Sequence, residues 1–502
     1  MLNHETIPST TGLAIIGSGF SGLAMAAEMK RAGREDFVVL ERANEVGGTW
    51  RDNSYPGCAC DVPSHLYSFS FAPNPGWSST FSPQQEIYAY IRRVAEQEGL
   101  LPHVRYGIEV EEATWDDDAK VWRLRTSGGD IEARAVASAA GPLSEPSIPD
   151  IPGLRDFKGA VFHSATWDHD HDLTGERVAV VGTGASAIQF VPQIQPKVSK
   201  LHLFQRTAPW IMPRPDRPLT GFEHNLYRLF PPAQLAMRKA IYWGRESFAI
   251  PMIRARLSKI ITLAGRRHLA KQVPDPELRA KLTPDYSPGC KRILVSNDYL
   301  PSLSKPNVEV VTDGITEVRE HSVVAADGTE REVDTIILGT GFHVTDLPIA
   351  HRVRGRDGRT HTEHWDGSLS AHRGTTVKGF PNLFFVLGPN TGLGHTSVVL
   401  MAEAQARYIR QALEHLDRAG VATVEPRPEA QDAWNAAIQR KSQGTVWLNG
   451  GCKSWYIDRN GRNSTLWPDH TFRFFSAVKK FDPSEYVTAP ATVPAAPVEV
   501  TA

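Results

Sequence analysis

Apolar positions along this chain fall into three short continuous runs that end in glycine, and one long stretch with helical spacing. Leu13–Ile16 runs into Gly17, the VAVV of ERVAVVGTG into Gly182, and Thr335–Leu338 into Gly339. Unbroken runs of this length predict strands buried on both faces, as in a parallel sheet covered by helices. After the first two runs the pattern turns helical and then returns to strand, ending in FVVLE and LHLF. That is the βαβ order of an α/β nucleotide-binding fold. Residues 216–285 differ. FEHNLYRLF, AQLAMRKAIYW and MIRARLSKIITLAGRRHLA space apolar residues three and four apart among many arginines, which predicts amphipathic helices. The favoured expectation is a helical insertion packed beside the active site; the basic polar face leaves membrane contact as the alternative. Residues 486–502, rich in alanine and proline, are expected to form a disordered tail.

The two strand–helix turns differ in one decisive position. In the first, GSGFSG carries Gly17, Gly19, Phe20, Ser21 and Gly22, and its second strand ends on Glu41. The glycines allow a tight turn, close approach of a pyrophosphate and helix–strand packing, while the helix N-terminus faces the phosphates and Glu41 accepts from ribose hydroxyls. In the second, GTGASA carries Gly182, Thr183, Gly184, Ala185, Ser186 and Ala187. Gly22 to Glu41 spans 19 residues, and Ala187 to Arg206 also spans 19. A cation therefore stands where the first unit has an acid. Arg206, with the Thr207 hydroxyl, suits a 2′-phosphate that a carboxylate would repel, so the second site is expected to prefer NADP(H). The first is expected to take FAD, because Gly47, Gly48, Thr49 and Trp50 follow its acid closely and Trp50 is large enough to wall an isoalloxazine ring.

Two dinucleotide sites imply an internal electron path. The fold class expected is α/β, with two Rossmann-like domains, for FAD and NADP, and a helical insertion. The FAD unit is assigned to 1–145 and 380–485, the NADP unit to 150–215 and 286–379, and the insertion to 216–285.

Composition narrows the partners. With 502 residues, 41% hydrophobic, 22% charged and a formal net charge of −1, the chain has no basic excess for nucleic acid. No signal-peptide pattern or membrane-spanning run occurs at its start, so a cytoplasmic enzyme, monomer or homodimer, is expected. The four cysteines, Cys58, Cys60, Cys290 and Cys452, are too few for a disulfide framework and point to a reducing compartment. Cys58-Ala59-Cys60 lacks the spacing of a flavin disulfide redox pair, and DHDHD at 168–172 is taken as a solvated turn rather than a metal site. No metal is expected. Lys291 and Arg292 are adjacent cations ahead of an apolar run, costly to bury without anionic partners.

Between the nucleotide loops, FKGAVFHSATWD places Phe157, Gly159, His163, Trp167 and Asp168 on the pattern FxGxxxHxxxW followed by Asp. This resembles the fingerprint of the flavin-dependent Baeyer–Villiger monooxygenases, of the flavin-containing monooxygenase superfamily. GGTWRDNSYPGCACDVPSHLYSFSF, AAGPLSEPSIPDIPG, the CKR triplet and GGCKSWY extend the resemblance over roughly residues 10–480. It implies that NADPH reduces FAD, that O2 is the co-substrate, and that a C4a-peroxyflavin inserts one oxygen beside a ketone carbonyl. It further implies Arg292 as the active-site arginine and Asp61 as the carboxylate that positions it. Lys291 joins Arg206 and Thr207 on the NADP phosphate, Trp455 on a mobile loop touches the NADP ribose or nicotinamide side, and Tyr67 and Val110 complete the FAD surroundings. GPNTGLGHTS at 388–397 departs from the form similar to cyclohexanone-type members, which argues against small cyclic ketones as native substrates. Oxygenation of an amine nitrogen or thioether sulfur, and a non-catalytic flavin redox sensor, are the alternatives. His163 has no partner that a catalytic base needs, so the motif is expected to anchor a linker between the two nucleotide domains.

Overall fold

The structure is a computed structural model describing residues 7–490. Two sheets carry it. The first runs, in spatial order, through Val353–Arg354, Val110–Asp116, Val121–Thr126, Gly129–Ser138, Thr10–Ile16, Phe37–Glu41 and Val104–Tyr106, with Leu383–Phe385 also pairing to Gly129–Ser138. Its parallel part holds the fully buried strands: Phe37–Glu41 is buried at every position. Its antiparallel hairpin alternates, with Trp122, Leu124 and Thr126 inside and Arg123 and Arg125 outside. This is the contrast expected between a strand covered on both faces and one covered on one. Helix Phe20–Arg31 buries Leu23, Met25 and Met29 against the sheet and the long helix Val398–Ala419. Each such side chain contributes ~1.5–3 kcal/mol of burial.

The second sheet is wholly parallel, in the order Val308–Val311, Lys200–Phe204, Arg177–Val181, Thr335–Leu338 and Ala160–His163. Thr335–Leu338 is buried throughout, and it leads the chain back toward the first sheet. The two crossings between the sheets lie side by side: Ser147 N–H donates to Gly341 O at 2.8 Å, Thr340 Oγ1 to Ser147 O at 2.6 Å, and His343 N–H to Glu145 O at 3.1 Å. Five helices, Gly221–Leu229, Pro231–Ser247, Ala249–Ile253, Ser258–Gln272 and Pro276–Lys281, lie within 216–285. Among the described residues no helix is long and apolar enough to cross a membrane.

Three expectations need correction. The return to the first sheet comes well before residue 380. Val353–Arg354 pairs with Val110–Asp116, and Trp365, Leu369, Val377 and Phe380 join the core beneath that sheet. A two-residue edge strand has too short a pattern to announce which sheet it joins. Nor is the tail unstructured from 486. Tyr486–Pro490 pairs antiparallel with Val421–Pro426, and Tyr486 is buried with its hydroxyl 2.8 Å from that of Tyr408; residues 491–502 lie outside the described residues. Finally, the cysteines are not all free: Cys290 and Cys452, 162 residues apart, form a disulfide.

Candidate functional site

A single cavity of about 1180 Å³ runs between the two sheets and is lined by both glycine loops. At its first end the backbone sets the shape. Gly17 has φ +99°, and a Cβ there would stand 2.9 Å from Ala139 O; one on Gly22 would stand 1.8 Å from Gly17 O. Neither position tolerates a side chain, and the turn they permit leaves the N-terminus of helix Phe20–Arg31 without a side-chain cap. Its first amides face the cavity as an anion cradle. Glu41, 4% exposed, lines the same space, its carboxylate oriented by Ser18 N–H (3.0 Å), Ser18 Oγ (2.6 Å) and Ala43 N–H (2.9 Å). Gly47 N–H donates to Ser18 O, and the tight contact of Gly48 with Gly19 folds the GGTW loop onto the glycine turn. Trp50 donates its indole N–H to the Tyr67 hydroxyl at 3.0 Å, and Tyr67, Thr49 and Val110 line the wall beyond. These residues fit FAD.

At the other end Gly182 has φ +106°, and a Cβ there would lie 2.5 Å from Gly339 O. Helix Ala187–Ile194 starts just beyond, again without a side-chain cap. Arg206 and Thr207 line the cavity after the second strand, and Thr207 O accepts from Thr183 Oγ1 at 3.3 Å. Lys291 comes to the same place from 85 positions further along. Partial burial, and then the neighbouring Arg206 cation, lower its ammonium pKa. Among the described residues, neither cation has a carboxylate partner in an ion pair. Two like charges held together this way suit a phosphate.

Between the two ends stands Arg292. Its guanidinium grips Asp61 bidentately, Nε to Oδ2 and Nη2 to Oδ1, both 2.7 Å, across 231 residues of sequence. The side chains remain 37% and 23% exposed, toward the cavity that both line. The Asp61 charge raises the pKa of Arg292. Burial alone would raise Asp61, but the charge and hydrogen bonds of Arg292 outweigh it and hold the carboxyl below its ordinary value. The pair is ionised at neutral pH.

Sequence reasoning missed three features here. Tyr456, 2% exposed and next in sequence to Trp455, lies close enough to Arg292 for the guanidinium charge to act on its phenol; Trp455 itself stands 47% exposed at the cavity wall. Arg245, from the helical insertion, donates Nε–H to His395 O at 2.8 Å, and its charge is felt at Asp61. The third is the disulfide, which staples the GGCKSWY loop to the residue before Lys291. Reducing this bond, or substituting Cys452→Ser, frees the loop that carries Trp455 and Tyr456. Stopped-flow titration is expected to show KM for NADPH rising about 3- to 10-fold with the flavin-reduction rate changed less, the pattern of a loosened closing loop. Cys58 and Cys60, by contrast, are free and buried, and burial pushes the Cys58 thiol up to about 11 and Cys60 higher still.

The fingerprint residues lie within the second domain rather than in the linker between the domains. Ala160–His163 is the edge strand of the second sheet. Gly159 is required there because a Cβ would stand 2.0 Å from Asp334 O. Phe157 is buried beneath the strand, and Trp167 packs on Phe162 and Phe190 at 5.1 and 5.2 Å. His163 Nδ1 accepts from Ala165 N–H at 3.1 Å, so the neutral ring caps a turn, and burial lowers its pKa. Its ring packs edge-on against Phe342 of the second crossing, at 5.7 Å. Asp168 caps the next turn through Asp170 N–H. The two DHDHD histidines face apart, His169 toward Ser54 and His171 toward Glu176 and Thr335.

Residues 14–220 match the pyridine nucleotide-disulphide oxidoreductase family. A Baeyer-Villiger monooxygenase of Streptomyces coelicolor is 52% identical over 99% of this chain and 97% of its own length. Among solved structures, the cyclohexanone monooxygenase of Rhodococcus sp. Phi1 bound to NADP+ superposes with a TM-score of 0.86 at 27% identity, covering 97% of this chain and all of its own. OTEMO in complex with FAD and NADP does so with a TM-score of 0.87 at 25% identity, covering 95% and 99%.

Proposed function

Because this chain belongs to the flavin-dependent Baeyer–Villiger monooxygenases, we propose specific roles for its cavity residues within that reaction. The protein is an NADPH- and O2-dependent FAD enzyme that inserts one oxygen atom beside a ketone carbonyl to give an ester or lactone. FAD, reduced by NADPH, supplies the oxygen-transfer chemistry; the residues of the chain supply position and field.

Arg292 stabilises the negative charge that develops as the ketone carbonyl is attacked. A fixed guanidinium does this without moving a proton, and its orientation is set before the reaction begins. Asp61 holds the guanidinium by two hydrogen bonds and balances its charge, and the buried Tyr456 phenol lies near the pair. Arg206, Lys291 and Thr207 bind the 2′-phosphate of NADPH. The first glycine turn, Glu41 and the wall of Trp50, Tyr67 and Val110 hold FAD. Trp455 covers the nicotinamide side and, with the stapled loop, excludes water. His163 braces the second crossing through Phe342, Trp167 packs on Phe162 and Phe190 behind it, and neither touches substrate.

The single observation that carries this reading is the bidentate Arg292–Asp61 pair opening into a cavity lined by both nucleotide turns. A cation is what the ketone reaction asks for, and oxygenation of an amine or thioether has less need of it. The substrate we assign is an apolar ketone other than a small cyclic one. Leu393, Val398 and Leu466 line the wall that the divergent 388–397 segment contributes to. The test is a panel of cyclic, linear and aryl ketones turned over under labelled O2, with products identified by mass spectrometry. Esters carrying one labelled oxygen atom, formed faster from larger apolar ketones, are expected; oxygenated amines or sulfides without ester would overturn the reading.

A further inference from the structure

The helical insertion turns much of its apolar surface outward. Helix Pro231–Ser247 buries Gln234, Arg238 and Glu246 and exposes Leu235, Met237 and Trp243. The buried polar groups are satisfied. Arg238 donates to the carbonyls of His65 and Ser68 and to Ser68 Oγ, Gln234 to Asn74 O, and Glu246 accepts from Thr471 N–H and pairs with His470. A helix in water does the reverse, turning its apolar stripe inward. Its neighbours extend the pattern. Eleven of the eighteen exposed large apolar side chains among the described residues fall between 222 and 263, among them Phe222 (74%), Leu229 (80%), Trp243 (59%), Phe248 (53%) and Ile260 (74%). Phe472 adds to the patch, its ring 6.0 Å from that of Trp243.

Charge accompanies the apolar surface. Between 221 and 272 the chain has ten lysines and arginines against two carboxylates, although its overall net charge is −1. Of the two carboxylates, Glu246 is buried and Glu223 is paired with Arg217. Lys239, Arg254, Arg256, Lys259, Arg266 and Arg267 are exposed, and none has an ion-pair partner among the described residues. Aromatic and aliphatic side chains interleaved with unpaired cations are the chemistry that seats a helix at an anionic lipid surface, rings among the acyl chains and cations among the headgroups.

We propose that the outer face of the helical insertion docks reversibly on an anionic phospholipid bilayer. A second copy of the chain is the poorer occupant, because a two-fold contact would set this basic surface against itself. The contact is peripheral, since no helix here is long and apolar enough to span. It also has a functional direction. The same insertion backs onto the 391–396 wall through Arg245 and through Met252, whose sulfur would stand 3.0 Å from a Cβ on Gly394. A ketone dissolved in lipid thus meets the protein at the elements that adjoin the cavity.

The experiment is co-sedimentation of the FAD-loaded full chain with vesicles of phosphatidylcholine alone or mixed with phosphatidylglycerol. Binding to the phosphatidylglycerol vesicles, reversed by high salt, is expected. Trp243→Glu/Ile260→Glu and Arg266→Glu/Arg267→Glu should each lower the bound fraction roughly tenfold or more, as loss of apolar insertion or of surface cations predicts. Both variants should retain FAD absorbance, far-ultraviolet circular dichroism and turnover of a short water-soluble ketone. Failure of the wild type to pellet with phosphatidylglycerol vesicles, or unchanged binding by both folded variants, would overturn the proposal. So would a dimer in size-exclusion light scattering that Trp243→Glu dissociates, without vesicle binding; the patch would then belong to a second copy.

Discussion

Replacing Arg292 with alanine is expected to lower ester formation by about 10²- to 10³-fold or more, the loss seen when a preorganised donor to developing negative charge is removed. NADPH-driven flavin reduction should remain measurable, because the cations that hold the 2′-phosphate lie elsewhere, on Arg206 and Lys291. Oxygen consumed without product would then leave as hydrogen peroxide. The substitution also leaves Asp61 partly buried without its partner, so Arg292→Lys is the necessary companion: it keeps the charge but cannot make two parallel hydrogen bonds. Recovery of folding with only partial recovery of ester formation would separate positioning from charge. A rate of ketone oxidation unchanged in Arg292→Ala would sink the assignment. The pair also sets a pH dependence. Because Asp61 is held below its ordinary value, its contribution to stability is present above the unfolded carboxylate range and is lost only as pH falls through the lowered value. Across neutral pH the pair should not titrate.

The second large effect concerns the reductant. Arg206→Ala should raise KM for NADPH about 10- to 100-fold, the worth of a charge-assisted phosphate contact, and leave KM for NADH nearly unchanged. Lys291→Ala should act in the same direction. Its ammonium already shares the site with Arg206, whose charge adds to burial in lowering its pKa. Removing either cation relieves that repulsion, so the double substitution should cost less than the two singles combined. Steady-state kcat/KM ratios for the two nicotinamide cofactors measure this directly. Equal losses for NADPH and NADH would mean that neither residue reads the 2′-phosphate.

Both nucleotide turns were legible because their information is local. A buried run, three small residues and a charged residue 19 positions on are all contained in one βαβ unit, and the structure places Glu41 and Arg206 at those strand ends. Arg292 and Asp61 are 231 residues apart, and no periodicity joins them; only the resemblance did, and the two 2.7 Å hydrogen bonds now give that pairing a geometry. Tyr456, Arg245 and the Cys290–Cys452 link were not legible, since each depends on a contact between distant segments with no local signature. The fingerprint was visible as a pattern but not as physics. Its glycine is explained by Asp334 O, which no reading of residues 157–168 alone could supply. The basic, amphipathic texture of 216–285 was visible too. Which face turned outward was not, because Gln234, Arg238 and Glu246 find their hydrogen-bond partners elsewhere in the chain.

The interleaving of the two sheets has a consequence during synthesis. Every strand of the second sheet lies between residues 160 and 338, so that domain is complete once its stretch has left the ribosome. The first sheet begins earlier but finishes later: Leu383–Phe385 must still add to Gly129–Ser138, and helix Val398–Ala419 must still cover helix Phe20–Arg31. The N-terminal glycine turn is therefore made early and stabilised late, with its apolar helix waiting for a partner nearly four hundred residues downstream. Domains emerging from the ribosome fold as units in order of completion. Here the inserted domain overtakes the one that surrounds it, and a nascent chain should acquire its affinity for NADPH before it can retain FAD.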